Sequence, residues 1–81
     1  MSRTNYYKYL SPTSLSPRQK EYLNLVREGM CDKRIARIMN ITISTVKTFG
    51  ANIRIKLGAV NRTHAVILAI RQNQINLEEA H

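Results

Sequence analysis

Acidic residues are scarce in this sequence, and they are absent from more than half of it. The 81 residues include five Asp and Glu against 13 Lys and Arg, which gives a net charge of +8. No acid occurs from residue 33 to residue 77, a segment that contains eight basic residues: Lys33, Arg34, Arg37, Lys47, Arg54, Lys56, Arg62 and Arg71. Such a segment favours binding to a polyanion over a merely solvated basic surface. A basic helix on a membrane surface is the weaker alternative, because the cations are spread over several predicted helices.

Cysteine, histidine and long apolar runs are equally scarce. Cys31 is the single cysteine, which excludes an internal disulfide and a cysteine metal cluster, and we interpret it as a half-buried residue of a cytoplasmic protein. His64 and His81 have no acid or cysteine at the spacing of a metal or nucleophile site. No apolar run approaches the roughly 20 residues that span a membrane, and no secretory segment begins the chain. We therefore expect no enzyme, cofactor, metal, membrane or small-molecule ligand.

Residues 31–58 organise the rest of the chain. Their pattern predicts a short helix, a three-residue turn and a longer helix, with apolar residues on one side of the first helix: Ile35, Ala36, Ile38 and Met39. Asn40 tolerates the left-handed conformation at which a helix ends, and Thr42 can cap the next helix. This pattern is typical of a helix-turn-helix unit, in which the second helix is placed to enter the DNA major groove.

The longer helix has two distinct sides at about 100° per residue. The packing side is predicted to consist of Val46, Gly50, Ile53 and Leu57. The outward side consists of Ser44, Lys47, Thr48, Ala51 and Ile55. The outward side offers a cation, hydroxyls and a methyl group but no carboxylate, which suits base edges and phosphates.

Two further helices flank this unit and complete an all-α, four-helix, bundle-like domain. Ser16, Pro17 and Gln19 have the spacing of a capped helix start, and Gly29 is expected to end that first helix. Asn61 is expected to cap a last helix that runs from about residue 62 to residue 72.

The last helix is apolar on all sides across residues 65–70, although a helix on one small core needs a single apolar stripe. We expect a second copy of the same helix to cover the surplus side, with a dimer interface that includes Ile67, Leu68, Ile70 and Arg71. Deeper burial in its own fold, or a missing domain, is the alternative.

The chain divides into an arm over residues 1–14, the helical domain over residues 15–74 and a tail over residues 75–81. The arm contains two basic residues, Arg3 and Lys8, among three tyrosines, Tyr6, Tyr7 and Tyr9. It is expected to dock on the core or on a partner, to touch DNA, or to remain a mobile terminus. The chain is either a standalone regulator or the effector end of a longer protein.

Residues 15–70 resemble the LuxR-type (GerE-type) DNA-binding helix-turn-helix domain of bacterial transcription regulators. The matching residues are Leu15-Ser16-Pro17-Arg18, Glu21, Leu23, Glu28-Gly29, Ile35-Ala36, Ile41, Thr45-Val46-Lys47, Asn52-Ile53, Lys56-Leu57-Gly58, Asn61-Arg62-Thr63 and Ala65-Val66. The resemblance implies a four-helix domain whose third helix reads the major groove and whose fourth often forms the dimer contact. It also implies sequence-specific control of transcription.

The resemblance places base contacts just after the Thr45-Val46 pair, at Lys47, Thr48 and Ala51, and Ser44 on the same outward side is added to them. Lys47 can donate to guanine O6 or N7, and Ala51 can contact a thymine methyl group. The candidates for phosphate contacts are Lys33, Thr42, Thr45, Asn52, Arg54 and Lys56. Asn52 and Lys56 turn away from the outward side, so a purely structural role is the alternative for both.

Several residues depart from the pattern of the family. Cys31 and Arg34 stand where Ser and Glu usually form a capping box, so the second helix starts weakly unless Asp32 caps it. Phe49 and Gly50 replace a common His and a common Val or Ile, and we expect Phe49 to fill part of the space beside Gly50. His64 replaces the Glu that usually helps to cap the last helix, and it is expected to be a surface residue.

These observations favour a transcription regulator that binds double-stranded DNA as a homodimer. The alternative is an interaction module that binds another regulator or RNA polymerase through its last helix, with DNA binding secondary or lost.

Overall fold

The computed structural model describes residues 14–76, which form four helices and no strand. α1 spans Pro17–Arg27, α2 spans Asp32–Met39, α3 spans Ile43–Leu57 and α4 spans Arg62–Arg71. Residues 40–42 form the turn between α2 and α3. The predicted all-α domain with a central helix-turn-helix is thereby confirmed.

Three of the four helices begin at side chains that satisfy free backbone N–H groups. Ser16 and Gln19 form a complete capping box at α1, with each side chain accepting from the backbone of the other residue. The Thr42 side chain caps α3 by accepting from the Thr45 N–H. Asn61 caps α4 through its side-chain oxygen. These caps are the predicted ones, because the signal for each lies within four consecutive residues.

The second helix begins without such a cap. Cys31 is its N-cap residue, but the Cys31 side chain makes no capping hydrogen bond. Asp32 does not replace Cys31 as the N-cap residue, and the Asp32 carboxylate instead binds Arg62 of α4. The N–H groups of the first turn, that of Arg34 foremost, still lower the pKa of the Cys31 thiol because they favour the thiolate. Cys31 is exposed, whereas the sequence predicted a half-buried residue.

A residue with positive φ follows each of the four helices: Gly29, Asn40, Gly58 and Asn73. Asn40, with φ 59°, ends α2, and Gly58, with φ 70°, ends α3. Gly29 has φ 86° just after α1. The left-handed conformation stops each helix by turning the next N–H back onto the last carbonyl groups.

The core lies where α3 packs against the other three helices. The four residues of its predicted packing side are all buried, which confirms that side: Val46, Gly50, Ile53 and Leu57. Val46, Ile53 and Leu57 meet Leu23 of α1, Ile35 of α2 and Ala65 of α4 in one buried cluster. α3 is therefore fixed by its packing side, and its opposite side is left outward.

The two ends of the described region meet. The Leu15 N–H donates to the Gln74 Oε1 at 2.7 Å, and both Leu15 and Ile75 are buried in the core. The Arg27 guanidinium donates to the carbonyl oxygen of Asn76. The division at residues 14 and 74 stays a prediction, and the tyrosines of the arm lie outside the described residues. None of the helices in residues 14–76 is long and apolar enough to cross a membrane.

Candidate nucleic-acid interface

The outward side of α3 carries the residues that the sequence predicted for base contact. Ser44, Lys47 and Thr48 are exposed, and Ala51 is half-buried. The Thr48 hydroxyl donates to the Ser44 carbonyl oxygen at 3.2 Å, which leaves its methyl group and an oxygen lone pair for other contacts. No residue of the described part of the chain pairs with the Lys47 ammonium group. These side chains therefore form an accessible surface, which we call the reading surface.

The predicted phosphate contacts differ in exposure and in their partners. Lys33, Thr42, Thr45 and Asn52 are exposed, whereas Arg54 and Lys56 are half-buried. The hydroxyls of Thr42 and Thr45 lie 2.9 Å apart and share a hydrogen bond at the start of α3. These two hydroxyls are thus fixed beside the reading surface by the cap itself.

Lys56 is already engaged within the domain. Its ammonium group donates to the Ser14 carbonyl oxygen at 2.9 Å and to the Gln19 Oε1 at 3.1 Å. These bonds connect the end of α3 to the start of α1. They agree with a purely structural role for Lys56, which was the alternative to a phosphate contact. A phosphate contact from Lys56 stays a prediction.

The charges of α3 and α4 are all positive. The acids of the described residues lie on or just after α1 and at the start of α2: Glu21, Glu28 and Asp32. Glu21 is paired with Arg18 at 3.0 Å, and Asp32 is paired with Arg62 at 2.6 Å. Because no carboxylate lies on α3, the reading surface presents nothing that repels a phosphate backbone.

Tyr22 fills the space beside Gly50, which the sequence assigned in part to Phe49. A Cβ on Gly50 would lie 2.8 Å from the Tyr22 hydroxyl oxygen. The Phe49 ring stacks on the Tyr22 ring with centroids 5.9 Å apart and planes 16° from parallel. Tyr22 was missed because nothing local to α1 or α3 indicates that the two residues meet.

Arg62 is the second residue that sequence reasoning missed. The nearby Tyr22 hydroxyl, and the Asp32 carboxylate to which the guanidinium group donates, raise the pKa of Arg62. A basic residue at the start of a helix is unfavourable next to the helix dipole, so these two partners explain its position.

The predicted dimer residues of α4 are unevenly buried. Ile67 is 46% exposed and Arg71 is exposed, whereas Leu68 and Ile70 are half-buried and both pack against the core. Ala65, Val66 and Ala69 form the buried side of the helix. The apolar surplus of α4 in this domain is therefore concentrated at Ile67.

His64 takes the place of a capping carboxylate. Its Nδ1 accepts a hydrogen bond from the Val60 N–H at 3.0 Å, while its own N–H donates to Asn61. The side chain is half-buried, although the sequence predicted a surface residue. Within residues 14–76, no group of three or more His, Cys, Asp and Glu residues is placed to hold a metal ion.

Comparison with known proteins matches residues 13–69 to the family described as bacterial regulatory proteins, luxR family. This chain belongs to the luxR family. The match spans α1, α2 and α3 and nearly all of α4, so it includes the whole helix-turn-helix unit.

Three curated relatives of this luxR-family chain are named as regulators. It is 45% identical over 64 residues to the transcriptional activator protein BjaR1 of Bradyrhizobium diazoefficiens, a match that covers 79% of the chain and 26% of the relative. It is 46% identical over 55 residues to the monoamine regulon transcriptional regulator of Klebsiella aerogenes, a match that covers 68% of the chain and 24% of the relative.

The response regulator protein VraR of Staphylococcus aureus is 44% identical over 61 residues, which covers 75% of this chain and 29% of the relative. The chain thus spans about a quarter of the length of the curated relatives it matches. No solved structure gives a significant match.

Proposed function

We propose that this luxR-family domain binds double-stranded DNA sequence-specifically and thereby regulates transcription. The reading surface of α3 carries the proposal, because it is outward, free of carboxylates and held by a fully packed opposite side. Its length suits the major groove, which admits one α-helix. The regulators among the relatives favour the same function.

Within this function, the residues have separate roles. Lys47, Thr48 and Ala51 contact base edges, with Ser44 one turn before them. The exposed Lys33 and the hydroxyls at the start of α3 bind phosphates and set the register of α3 on the duplex. The phosphate contacts supply most of the affinity, and the base contacts supply the selectivity.

We further propose that the domain binds as a homodimer on a two-fold site, through α4. Support comes from Ile67, an apolar side chain that is 46% exposed on a helix whose other large apolar residues are at least half-buried. A two-fold pair of domains doubles the contacts and reads two half-sites.

Selection of bound duplexes from a random-sequence pool tests the proposal. The chain is expected to enrich one motif, and a two-fold motif if it binds as a homodimer. A pool that stays random after repeated rounds, while the protein remains folded, contradicts sequence-specific binding.

The second candidate function is an interaction module that binds another regulator or RNA polymerase through α4. The exposure of Ile67 favours it equally, because any apolar partner would cover that side chain. Light scattering with and without the selected duplex separates the two functions, since a two-to-one complex of protein and duplex is expected of the DNA-binding homodimer alone.

A further inference from the structure

We propose that Tyr22 and Gly50 form a contact that positions α3 for base recognition. Tyr22 is therefore a positioning residue for the reading surface, from which it is separated by the thickness of α3. This inference rests on the proposed DNA-binding function and adds specificity-determining residues that do not touch DNA.

The contact is unusually close. Gly50 is buried in the middle of α3, and a Cβ at this position would meet the Tyr22 hydroxyl oxygen at 2.8 Å. Real Cβ atoms essentially never come so close to another heavy atom, whereas the next nearest atoms would lie at an ordinary 3.7 Å. Glycine is unfavourable inside a helix, so the close approach of α3 to Tyr22 is the physical reason for its presence here.

Tyr22 cannot easily move away from Gly50. It is 2% exposed, and its ring is stacked on the Phe49 ring. The contact thus joins Tyr22 of α1 to two adjacent residues of α3, Phe49 and Gly50.

The consequence for DNA binding follows from the position of Gly50 in α3. It lies between Lys47 and Ala51, so any displacement of the helix at Gly50 moves both of these residues. Hydrogen bonds to base edges tolerate a few tenths of an ångström. Flexible lysine side chains can follow a shifted phosphate. A displaced α3 should therefore lose selectivity before it loses general affinity.

The test uses the full chain with Gly50→Ala, Tyr22→Phe and the double substitution. Each variant is titrated with a 30-base-pair duplex that the unchanged chain has selected from a random pool, and with a scrambled duplex of the same composition. Gly50→Ala is expected to lower the ratio of the two affinities by about tenfold, as the loss of one good base contact would. The double variant is expected to recover most of this ratio, because phenylalanine lacks the hydroxyl that meets the new methyl group.

Tyr22→Phe by itself is the matched control, since it removes one oxygen and adds no volume. It is expected to lower the ratio less than Gly50→Ala does. An unchanged ratio for Gly50→Ala, or no recovery in the double variant, overturns the positioning role. If Gly50→Ala does not fold, folding of the double variant shows that the Tyr22 hydroxyl and residue 50 are in contact. The ratio of affinities for Tyr22→Phe then tests the positioning role of Tyr22. A ratio equal to that of the unchanged chain overturns this role.

Failure of the proposed function gives a different result. The unchanged chain then selects no motif, which contradicts the positioning role as well. Thermal unfolding of the four proteins still measures the Tyr22–Gly50 contact in that case, because the double substitution is expected to be more stable than the sum of the single effects. An additive result contradicts the contact itself.

Discussion

Lys47 is the residue on which base recognition most depends. Its ammonium group is exposed on the reading surface and has no partner among the described residues, so no internal contact is lost when it is removed. We expect Lys47→Ala to weaken binding to the selected duplex by about 1–3 kcal/mol and to weaken binding to random DNA much less. Gel shifts with both duplexes measure the difference.

Lys33→Ala is the matched control for Lys47→Ala. Both side chains are exposed lysines, but Lys33 is proposed to bind phosphate at the start of α2. The loss of Lys33 should weaken binding to both duplexes equally and should reduce the slope of log K against log salt concentration by about 1. If Lys47→Ala behaves in the same way, Lys47 is a phosphate contact and not a base contact.

Cys31 leaves α2 without a side-chain cap. A serine hydroxyl at this position can accept a hydrogen bond from the Arg34 N–H, which the thiol does not accept. We expect Cys31→Ser to stabilise the domain by about 1 kcal/mol, or roughly 4–8 °C in Tm for a domain of this size. Thermal unfolding followed by circular dichroism measures the shift.

Cys31→Ala separates the cap from the loss of the thiol. Alanine cannot cap a helix, so this variant is expected to show no gain in Tm. Equal gains for serine and alanine would mean that the thiol itself is unfavourable, and capping would not be the cause.

At the scale of single elements, α4 is the helix proposed to form the dimer, and its Ile67 side chain is exposed. We expect Ile67→Ser to raise the dissociation constant of the dimer by roughly tenfold, since a two-fold interface loses the side chain twice, at about 1–2 kcal/mol in total. Analytical ultracentrifugation over a range of concentrations measures this constant.

Ile38→Ser on α2 is the control, because Ile38 is also 46% exposed but is not on α4. It is expected to leave the dimer unchanged. An equal effect of both substitutions, or none from Ile67→Ser, contradicts an interface through α4.

At the scale of the whole molecule, the separation of charges determines how DNA affinity depends on salt. The net charge is +8, and the acids of the described region lie on or beside α1 and at the start of α2. If six phosphates are neutralised, log K should fall with log salt concentration at a slope of about −5. Gel shifts across a salt series give this slope, and affinity that does not change with salt contradicts the polyanion-binding surface.

The reading surface itself was predictable from periodicity, because one packed side of α3 leaves the other side outward. The contacts between distant residues that hold the helices together were not predictable. Lys56 and Gln19 are 37 positions apart, and Arg62 and Asp32 are 30 positions apart, so no local pattern indicates either pair.

The sequence by itself determined the four helices and their ends. Caps such as Ser16 and Thr42, and left-handed stops such as Asn40, act within a few residues, so their effect is contained in the local chain. The tertiary structure decided how closely α3 approaches α1. That distance depends on the Tyr22 hydroxyl fitting against Gly50, and a fit between two helices exists only once both are packed into one core.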